Sequence, residues 1–315
     1  MSIFLYFSLL ILVFIILDLF VINKSVIELK KARKKATIAT AFWMSLGLSF
    51  SIIVYFGYNN HWFGLGNSVG LNTSGKIAMI DYITGFLLEL SLSIDNIFVM
   101  ILIFKYFKIP FYNQHKALIY GIIGAIIFRA ILIYLGSYLL SKLPWFNYIF
   151  GAILLYSGIN LWRKGDKDQD LNQNKIIKYL RKVLPVIKDP DNPHFITRIR
   201  GIWVVTPLFL TVIMIEFTDI LFAFDSIPAI FGITKDPFIV FSSNIFAILG
   251  LRSLFLVLSS FIDRFHNIRY SLVFILIFIG IKICIEHIFE IPAMVSLIVV
   301  VMALAGGVIT SIKRK

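Results

Sequence analysis

Two stretches of the chain place carboxylates inside long apolar runs. In the first, Glu89 precedes Asp95 by six positions, and in the second Asp219 precedes Asp225 by the same six positions. In both copies a small polar residue and an isoleucine follow the second acid. A carboxylate at bilayer depth costs roughly 2.5 kcal/mol or more, so such residues indicate function by default. The repeated pattern predicts an internal duplication around one site.

The side chains of these stretches carry only oxygen ligands. The predicted ligands are Glu89, Asp95, Asn96, Glu216, Asp219, Asp225 and Ser226. Hard divalent cations take six or more such oxygens. The five histidines fall in loops or at span ends, and Cys284 is the only cysteine, which disfavours zinc and copper. The set therefore indicates Mn²⁺, Ca²⁺ or Mg²⁺, and its chemistry does not rank the three.

The same acids have two other uses that the sequence leaves open. They could relay protons, exchanging a proton for a metal ion. They could also be structural, because the intramembrane cations Arg129, Arg252 and Lys282 could neutralise three of them as buried ion pairs. Asp18 either supports the site or lies at a helix end that reaches water. Asp81, at the start of a span, is expected to be a solvated end charge.

The composition predicts an all-α polytopic membrane protein. Hydrophobic residues make up 59% of the 315 residues, charged residues 15%, and the mean hydropathy is +0.90. Apolar runs of about 20 residues are the length that crosses a bilayer. The first run is predicted to be a membrane helix rather than a removed signal. Nine spans fit the runs: 3–22, 37–57, 78–104, 117–140, 145–162, 201–226, 237–261, 270–287 and 292–311.

The basic residues predict the orientation of these spans. Alternate loops and the C-terminal tail hold 24 of the 30 Lys and Arg, whereas the other loops hold only Lys76, Lys142 and Lys235. Cytoplasmic loops carry the excess of Lys and Arg. The N-terminus is therefore expected outside and the C-terminus in the cytoplasm.

The acidic stretches then lie on antiparallel spans, and the next span in each case carries one arginine. This pattern predicts two inverted three-helix repeats, with the site near the midplane between them. The predicted divisions are 1–77 (two helices and an outer loop), 78–162 (repeat 1), 163–200 (cytoplasmic linker), 201–290 (repeat 2) and 291–315 (last helix and basic tail). A short amphipathic helix at Lys175–Leu184, lying on an anionic leaflet, is the less favoured alternative to a plain linker.

Helical geometry sets a condition on the site. Glu89, Ser93 and Asn96 share one helix face, but Asp95 lies off that face, and the second copy repeats the mismatch. The acids can converge if the helices unwind locally or if partner helices supply what each face lacks. Pro228 either favours such a break or simply ends its span.

Several runs resemble the TerC family of bacterial membrane proteins. The similarity covers most of residues 1–310 and is carried by the acidic stretch at 89–96, by Thr206-Pro207-Leu208 through Pro228, and by Asp236-Pro237-Phe238 followed by Ser243-Asn244 and Gly250 to Ser253. The resemblance implies a manganese exporter of the Alx type in the bacterial inner membrane, in a superfamily shared with lysine exporters and cation/Ca²⁺ exchangers. The acids of the family would map onto Glu89, Asp95, Glu216, Asp219 and Asp225. The family is named for tellurite resistance, but a carboxylate cage would repel that oxyanion.

The resulting hypothesis is secondary export of Mn²⁺, with protons as a possible counter-ion and with membrane lipids and other membrane proteins as possible partners. No permanently bound cofactor and no nucleic-acid partner are expected. A Ca²⁺/cation exchanger is the alternative within the same class. A membrane scaffold in tellurite or stress response, with structural acids, is the alternative from another class. An enzyme is not expected, because no nucleophile–base pair or phosphate-binding glycine loop is present.

Overall fold

A computed structural model of the chain describes residues 3–18, 29–66, 73–143, 145–164, 184–187, 189–199, 201–259, 268–285, 288–289 and 291–313. Within these ranges the side chains at 29–33, 95, 98, 164, 268–269, 293 and 312–313 are not described. Ten α-helices occur in this part of the chain: α1 Ile3–Leu17, α2 Leu29–Asn59, α3 Gly75–Tyr106, α4 Phe111–Lys142, α5 Phe146–Lys164, α6 Pro207–Phe231, α7 Pro237–Leu249, α8 Leu251–Leu258, α9 Ile268–Ile285 and α10 Ala293–Lys313.

Side-chain caps fix where three of the central helices begin. Ser74 precedes α3, Thr206 precedes α6 and Asp236 precedes α7, and each side-chain oxygen accepts a backbone N–H two or three residues further on. Such caps satisfy donors that the first helical turn leaves unpaired. Proline at the first position of α6 and α7 fits the same pattern, because its missing N–H has no partner there in any helix.

The helices have the length and surface of membrane spans. By length and composition five helices in the described ranges could cross a membrane, namely α2, α3, α4, α6 and α10. Helices α7 and α8 meet at Gly250 with a bend of 44° and together make a sixth candidate, whereas α1 and α9 are shorter apolar helices. The outward face of α4 exposes large apolar side chains such as Ile127, Ile131 and Leu135. The predicted all-α polytopic membrane protein is confirmed, while nine spans and their orientation stay predictions.

One span begins later than the sequence suggested. Residues 201–205, assigned above to the sixth span, lie in an antiparallel hairpin of β1 Ile196–Ile199 and β2 Ile202–Val205. Gly201, with φ of +86°, supplies the left-handed turn conformation that favours glycine. The apolar run of β2 continues directly into α6, so hydropathy alone cannot separate them. Residues 175–183 of the alternative amphipathic helix lie outside the described residues.

Helix α3 is the centre of the bundle. It packs against α2, α6, α7 and α10 and contributes to all three apolar clusters of the core. The most extensive of the other helix pairs include α4 with α6 and α5 with α9. Both α3 and α6 are continuous helices through their acidic stretches, so the local unwinding considered above does not occur. Pro228 lies in the last turn of α6, three residues before its end at Phe231.

Candidate functional site

Arg129 on α4 lies between the first acids of the two stretches. Its side chain is 2% exposed and forms ion pairs with Glu89 of α3 and Asp219 of α6. The pairing with Asp219 is bidentate: Nη2 donates to Oδ1 at 2.9 Å and Nε donates to Oδ2 at 3.2 Å. Such fork-shaped pairs fix geometry as well as charge. The two acids that occupy equivalent positions in the duplicated pattern therefore share one guanidinium.

Two asparagines complete this cluster. Asn96, two turns after Glu89 on α3, donates from Nδ2 to Asp219 Oδ1 at 2.9 Å. Asn244 on α7 donates from Nδ2 to Glu89 Oε2 at 3.0 Å and accepts from Arg129 Nη1 at 3.2 Å. We call Arg129, Glu89, Asp219, Asn96 and Asn244 the arginine cluster. Residues of α4 and α7 thus contact the acids of α3 and α6, while the predicted convergence of Asp95 and Asp225 on the same site stays a prediction.

Asn244 was absent from the predicted ligands, although its motif helped to carry the family resemblance. The signal was the run Ser242-Ser243-Asn244, three polar residues within an apolar span, all fully buried in the structure. The predicted face of Glu89, Ser93 and Asn96 is also buried throughout. The Ser93 hydroxyl and Asn96 Oδ1 have no hydrogen-bond partner within the described part of the chain.

Glu216 lies one helical turn before Asp219 but does not contact Arg129. Its carboxylate lies against Gly124 of α4, where any side chain would collide with it. Glu216 Oε2 is buried and has no hydrogen-bond partner among the described residues. A buried carboxylate oxygen without a partner is costly, so this group is a candidate for binding a cation or a proton.

Substituting Gly124 with alanine tests this close contact. The added Cβ would overlap the Glu216 carboxylate and displace it; because this group ends a flexible side chain, we expect a loss of stability near the lower end of the roughly 1–3 kcal/mol that overpacked cores show. The measurement is thermal unfolding in detergent. The matched control is Gly306→Ala on α10, where a Cβ would meet no atom within 4 Å. Equal melting temperatures for the two variants would contradict the contact.

The second aspartate of each stretch lies apart from Arg129 or is not described. Asp225 is half-buried and accepts a hydrogen bond from Ser157 of α5 at 2.5 Å. Ser226 is buried, and its hydroxyl has no partner in the ranges that the structure covers. Asp95 lies on α3, and its side chain is outside the described residues. The seven-residue ligand set stays a prediction.

The remaining intramembrane charges form separate contacts. Arg252 on α8 lies 3.5 Å from Asp18 Oδ2 through its Nε, and its Nη2 donates to the Asp18 backbone carbonyl at 3.2 Å. Trp43 also donates to Asp18 Oδ1 at 2.9 Å. Asp18 is 5% exposed, so it is not an end charge in water, and its partners lie outside the arginine cluster. Lys282 donates to Ser296 of α10 at 3.1 Å.

The expectation that Asp81 is a solvated end charge is wrong, because only 5% of this residue is exposed. Its position two turns before Glu89 on α3 lies in the most buried of the helices long and apolar enough to span a membrane. Hydropathy placed it near a span boundary, but packing of α2 and α7 around the start of α3 covers it.

The arginine cluster carries more negative than positive charge. Two carboxylates face one guanidinium, and Glu216 adds a third carboxylate one turn away. Among the residues described, no three His, Cys, Asp or Glu side chains converge to hold a metal ion. In this arrangement Arg129 occupies the place between Glu89 and Asp219 where a cation would receive oxygen ligands from both.

Comparisons with known proteins agree on the family. The model described as "Integral membrane protein TerC family" matches residues 74–315. An "Uncharacterized membrane protein" of Rickettsia felis is 42% identical over 301 residues, which are 96% of this chain and 94% of the relative. A "Putative membrane-bound redox modulator Alx" of Escherichia coli K12 is 40% identical over 267 residues, 85% of this chain and 81% of the relative. No solved structure matches the chain.

Proposed function

Because this chain belongs to the TerC family of integral membrane proteins, we propose that it is a secondary transporter that exports divalent cations, Mn²⁺ foremost, across the bacterial inner membrane. The single observation that carries the proposal is a buried excess of carboxylates at the contact of α3, α4 and α6. A hydrophobic bundle gains little stability from two buried acids that share one arginine, with a third, partly buried acid one turn away, because burying ions costs more than their pairing usually returns.

The proposed cycle exchanges one cation for another at the same acids. In the structure Arg129 pairs with both Glu89 and Asp219. An incoming divalent cation would take the oxygens of Glu216 and Asp219 first, since Glu216 has an oxygen without a partner. Arg129 would then release one acid to the metal. Return of Arg129, or protonation of an acid, would expel the metal on the other side.

The helix packing supports two access states of one site. Helix α3 packs on α7 and α4 packs on α6 to a similar extent, and α5 packs on α9. Exchanging α3, α4 and α5 with α6, α7/α8 and α9 leaves this set of contacts unchanged. Inverted repeats have this property, and they allow one half to rock against the other around a fixed site. The repeats and the N-out, C-in orientation remain part of the proposal.

The same contacts also support a second function, that of a membrane scaffold. The bidentate pairing of Arg129 with Asp219 is also what a structural ion pair would show. In that case the protein would act as a membrane scaffold, with its acids holding helices together. The relatives named for redox modulation do not decide between the two. This chain has one cysteine, so it cannot form an intrachain disulfide, and control of redox-active manganese would be one route to such an effect.

Two conservative variants separate transport from structure. Glu216→Gln and Asp225→Asn remove acids that Arg129 does not contact, so both proteins should fold normally. We expect Mn²⁺ uptake into inverted membrane vesicles to fall by roughly tenfold or more, the scale of losing groups that support a metal site. Uptake is followed with a manganese-quenched dye and with Ca²⁺ as competitor.

The matched control is Asp189→Asn, an exposed aspartate outside the membrane helices. It should leave Mn²⁺ uptake unchanged. If both site variants transport Mn²⁺ like the wild type while remaining folded, the acids are structural and the exporter proposal fails. If Ca²⁺ outcompetes Mn²⁺ at equal concentration, the protein is an exchanger for Ca²⁺ instead.

A further inference from the structure

A polar strip connects the arginine cluster with one end of the bundle. Asp81, Gly85 and Glu89 follow one another at four-residue spacing and so share a face of α3. This face lies against α7, where Asn244 contacts Glu89 and a Cβ at Gly85 would come within 3.0 Å of the Ser243 hydroxyl. At 1.5 Å per residue Asp81 lies about 12 Å along the helix from Glu89. The strip runs from the cluster past Ser243 towards Asp81, with Ile230 also against Gly85.

A second group of buried oxygens lies where the strip ends. Asp236, before α7, is 7% exposed and accepts the Phe238 N–H at 2.9 Å. The hydroxyl of Tyr58, near the end of α2, lies near the Asp236 carboxylate. Asp81 is also close enough to interact electrostatically with Tyr58. Asp81 lies beside the hydroxyl of Thr234, between α6 and α7. Two carboxylates and two hydroxyls from different elements thus meet at one end of the bundle.

Two atoms of this group are buried and, although polar groups lie near them, make no hydrogen bond of ordinary geometry within the described residues. Tyr58 is fully buried, and its hydroxyl has no hydrogen bond of ordinary geometry to any described residue. The Oδ1 atom of Asp81 is likewise buried and unsatisfied in the part of the chain that is described. Buried polar atoms cost free energy when they lack hydrogen bonds, so an arrangement that brings two of them together is a candidate for binding a ligand.

We propose that Asp81, Asp236 and Tyr58, with Thr234, form a second divalent-cation site, which receives the exported ion from the arginine cluster before its release. This inference rests on the proposed function and extends it to the end of the route. The charge count of the loops predicts that this end of the bundle, where α2 and α6 end and α3 and α7 begin, faces outward.

The charges around this group favour weak binding of a cation, as a release site requires. Lys282 is close enough to Asp81 for its positive charge to interact with the carboxylate. Two carboxylates beside one ammonium leave a single net negative charge, and affinity for such cations follows the number of charged ligands. The site should therefore bind Mn²⁺ weakly, with a Kd of about 0.1–1 mM, the range of extracellular Ca²⁺ modules.

The test counts bound Mn²⁺ on the purified full-length protein by electron paramagnetic resonance of the free ion. The variants are Asp81→Asn, Asp236→Asn and their combination. Asparagine is an N-cap as good as aspartate, so α7 should keep its start. We expect a weak class of sites in the wild type that disappears in the double variant. A tighter class, which Glu216→Gln weakens, should persist.

Two further measurements exclude a merely structural role. Lys282→Met should strengthen the weak class severalfold, because it removes the nearby positive charge. The double variant should lower the maximal rate of Mn²⁺ uptake into inverted vesicles severalfold at an unchanged half-saturating concentration, because loading occurs at the other site. A weak class that survives in the double variant, or an effect of the double variant on the pH profile alone, would overturn the second site.

Failure of the second cation site can be distinguished from failure of the proposed Mn²⁺ export. If the wild type does not move Mn²⁺ at all, the exporter proposal fails, and the binding titration alone judges the second site. If the wild type transports Mn²⁺ and the double variant does so equally fast, the exporter proposal stands and the second site is wrong.

Discussion

Replacing Arg129 with glutamine is expected to have the largest effect of any single substitution in this protein. The change leaves Glu89 and Asp219 buried without their shared cation. Removing one partner of a buried ion pair typically costs 3–5 kcal/mol, because the remaining charge stays in a medium that cannot solvate it. We therefore expect a melting temperature in detergent lowered by at least several degrees and Mn²⁺ uptake per folded molecule reduced to background.

Two companion variants show which property of Arg129 matters. Arg129→Lys keeps the charge but loses the fork that reaches both oxygens of Asp219, so it should fold better than the glutamine variant and still transport poorly. The double variant Glu89→Gln/Arg129→Gln removes one charge of each sign and should recover part of the lost stability. Arg163→Gln, at an exposed arginine near the end of α5, is the neutral control.

Two outcomes for Arg129→Gln would contradict this role of the arginine. If Arg129→Gln melts normally and exports Mn²⁺ at the wild-type rate, the guanidinium neither stabilises the acids nor exchanges with the metal. If it melts early but transports normally per folded molecule, the arginine cluster is structural and the scaffold function gains the support.

The second large effect is expected at Arg252, where a substitution should lower the stability of the protein but leave transport per folded molecule nearly unchanged. Arg252 is fully buried and holds Asp18, so Arg252→Gln should destabilise the attachment of α1 by roughly 3 kcal/mol. The 3.5 Å ion pair is looser than the contacts of Arg129, and Trp43 also binds Asp18, which places the loss at the lower end of the range. Transport per folded molecule should remain within about twofold of wild type, because nothing in the arginine cluster changes.

A double-mutant cycle with Asp18→Asn checks the pairing. The combined variant should be more stable than Arg252→Gln alone, since the unpaired carboxylate is gone and the Trp43 hydrogen bond can remain. Strictly additive losses for the two substitutions would show that the residues do not interact. A transport defect in folded Arg252→Gln protein would place Arg252 among the functional charges after all.

Much of the fold follows from the sequence because a bilayer imposes strong local constraints. Apolar runs of the right length located the membrane helices, and the polar face of Glu89, Ser93 and Asn96 was identified from helical spacing alone. The hairpin at Ile196–Val205 was missed because its second strand is as apolar as a membrane span. Hydropathy measures which medium a segment prefers and does not measure its backbone geometry.

The sequence alone could not predict which acids pair with Arg129. The sequence analysis identified Arg129 as a possible counter-charge, but its partners lie 40 and 90 residues away, and the two stretches together offer five acids. Which one it contacts depends on how α3, α4 and α6 pack. Asp81 shows the same limitation, because its burial comes from α2 and α7 rather than from its own segment.

The unbroken course of α3 and α6 has a consequence for what the ion carries with it. In a continuous helix the backbone carbonyls bond to N–H groups four residues on, so those beside Glu89 and Asp219 are less available as ligands than the carbonyls of an unwound segment. Side chains must then supply most of the oxygens that replace water around a divalent ion, which requires six or more of them. An ion held here would retain part of its hydration shell, so the cost of removing the first few waters would help to set which metals pass.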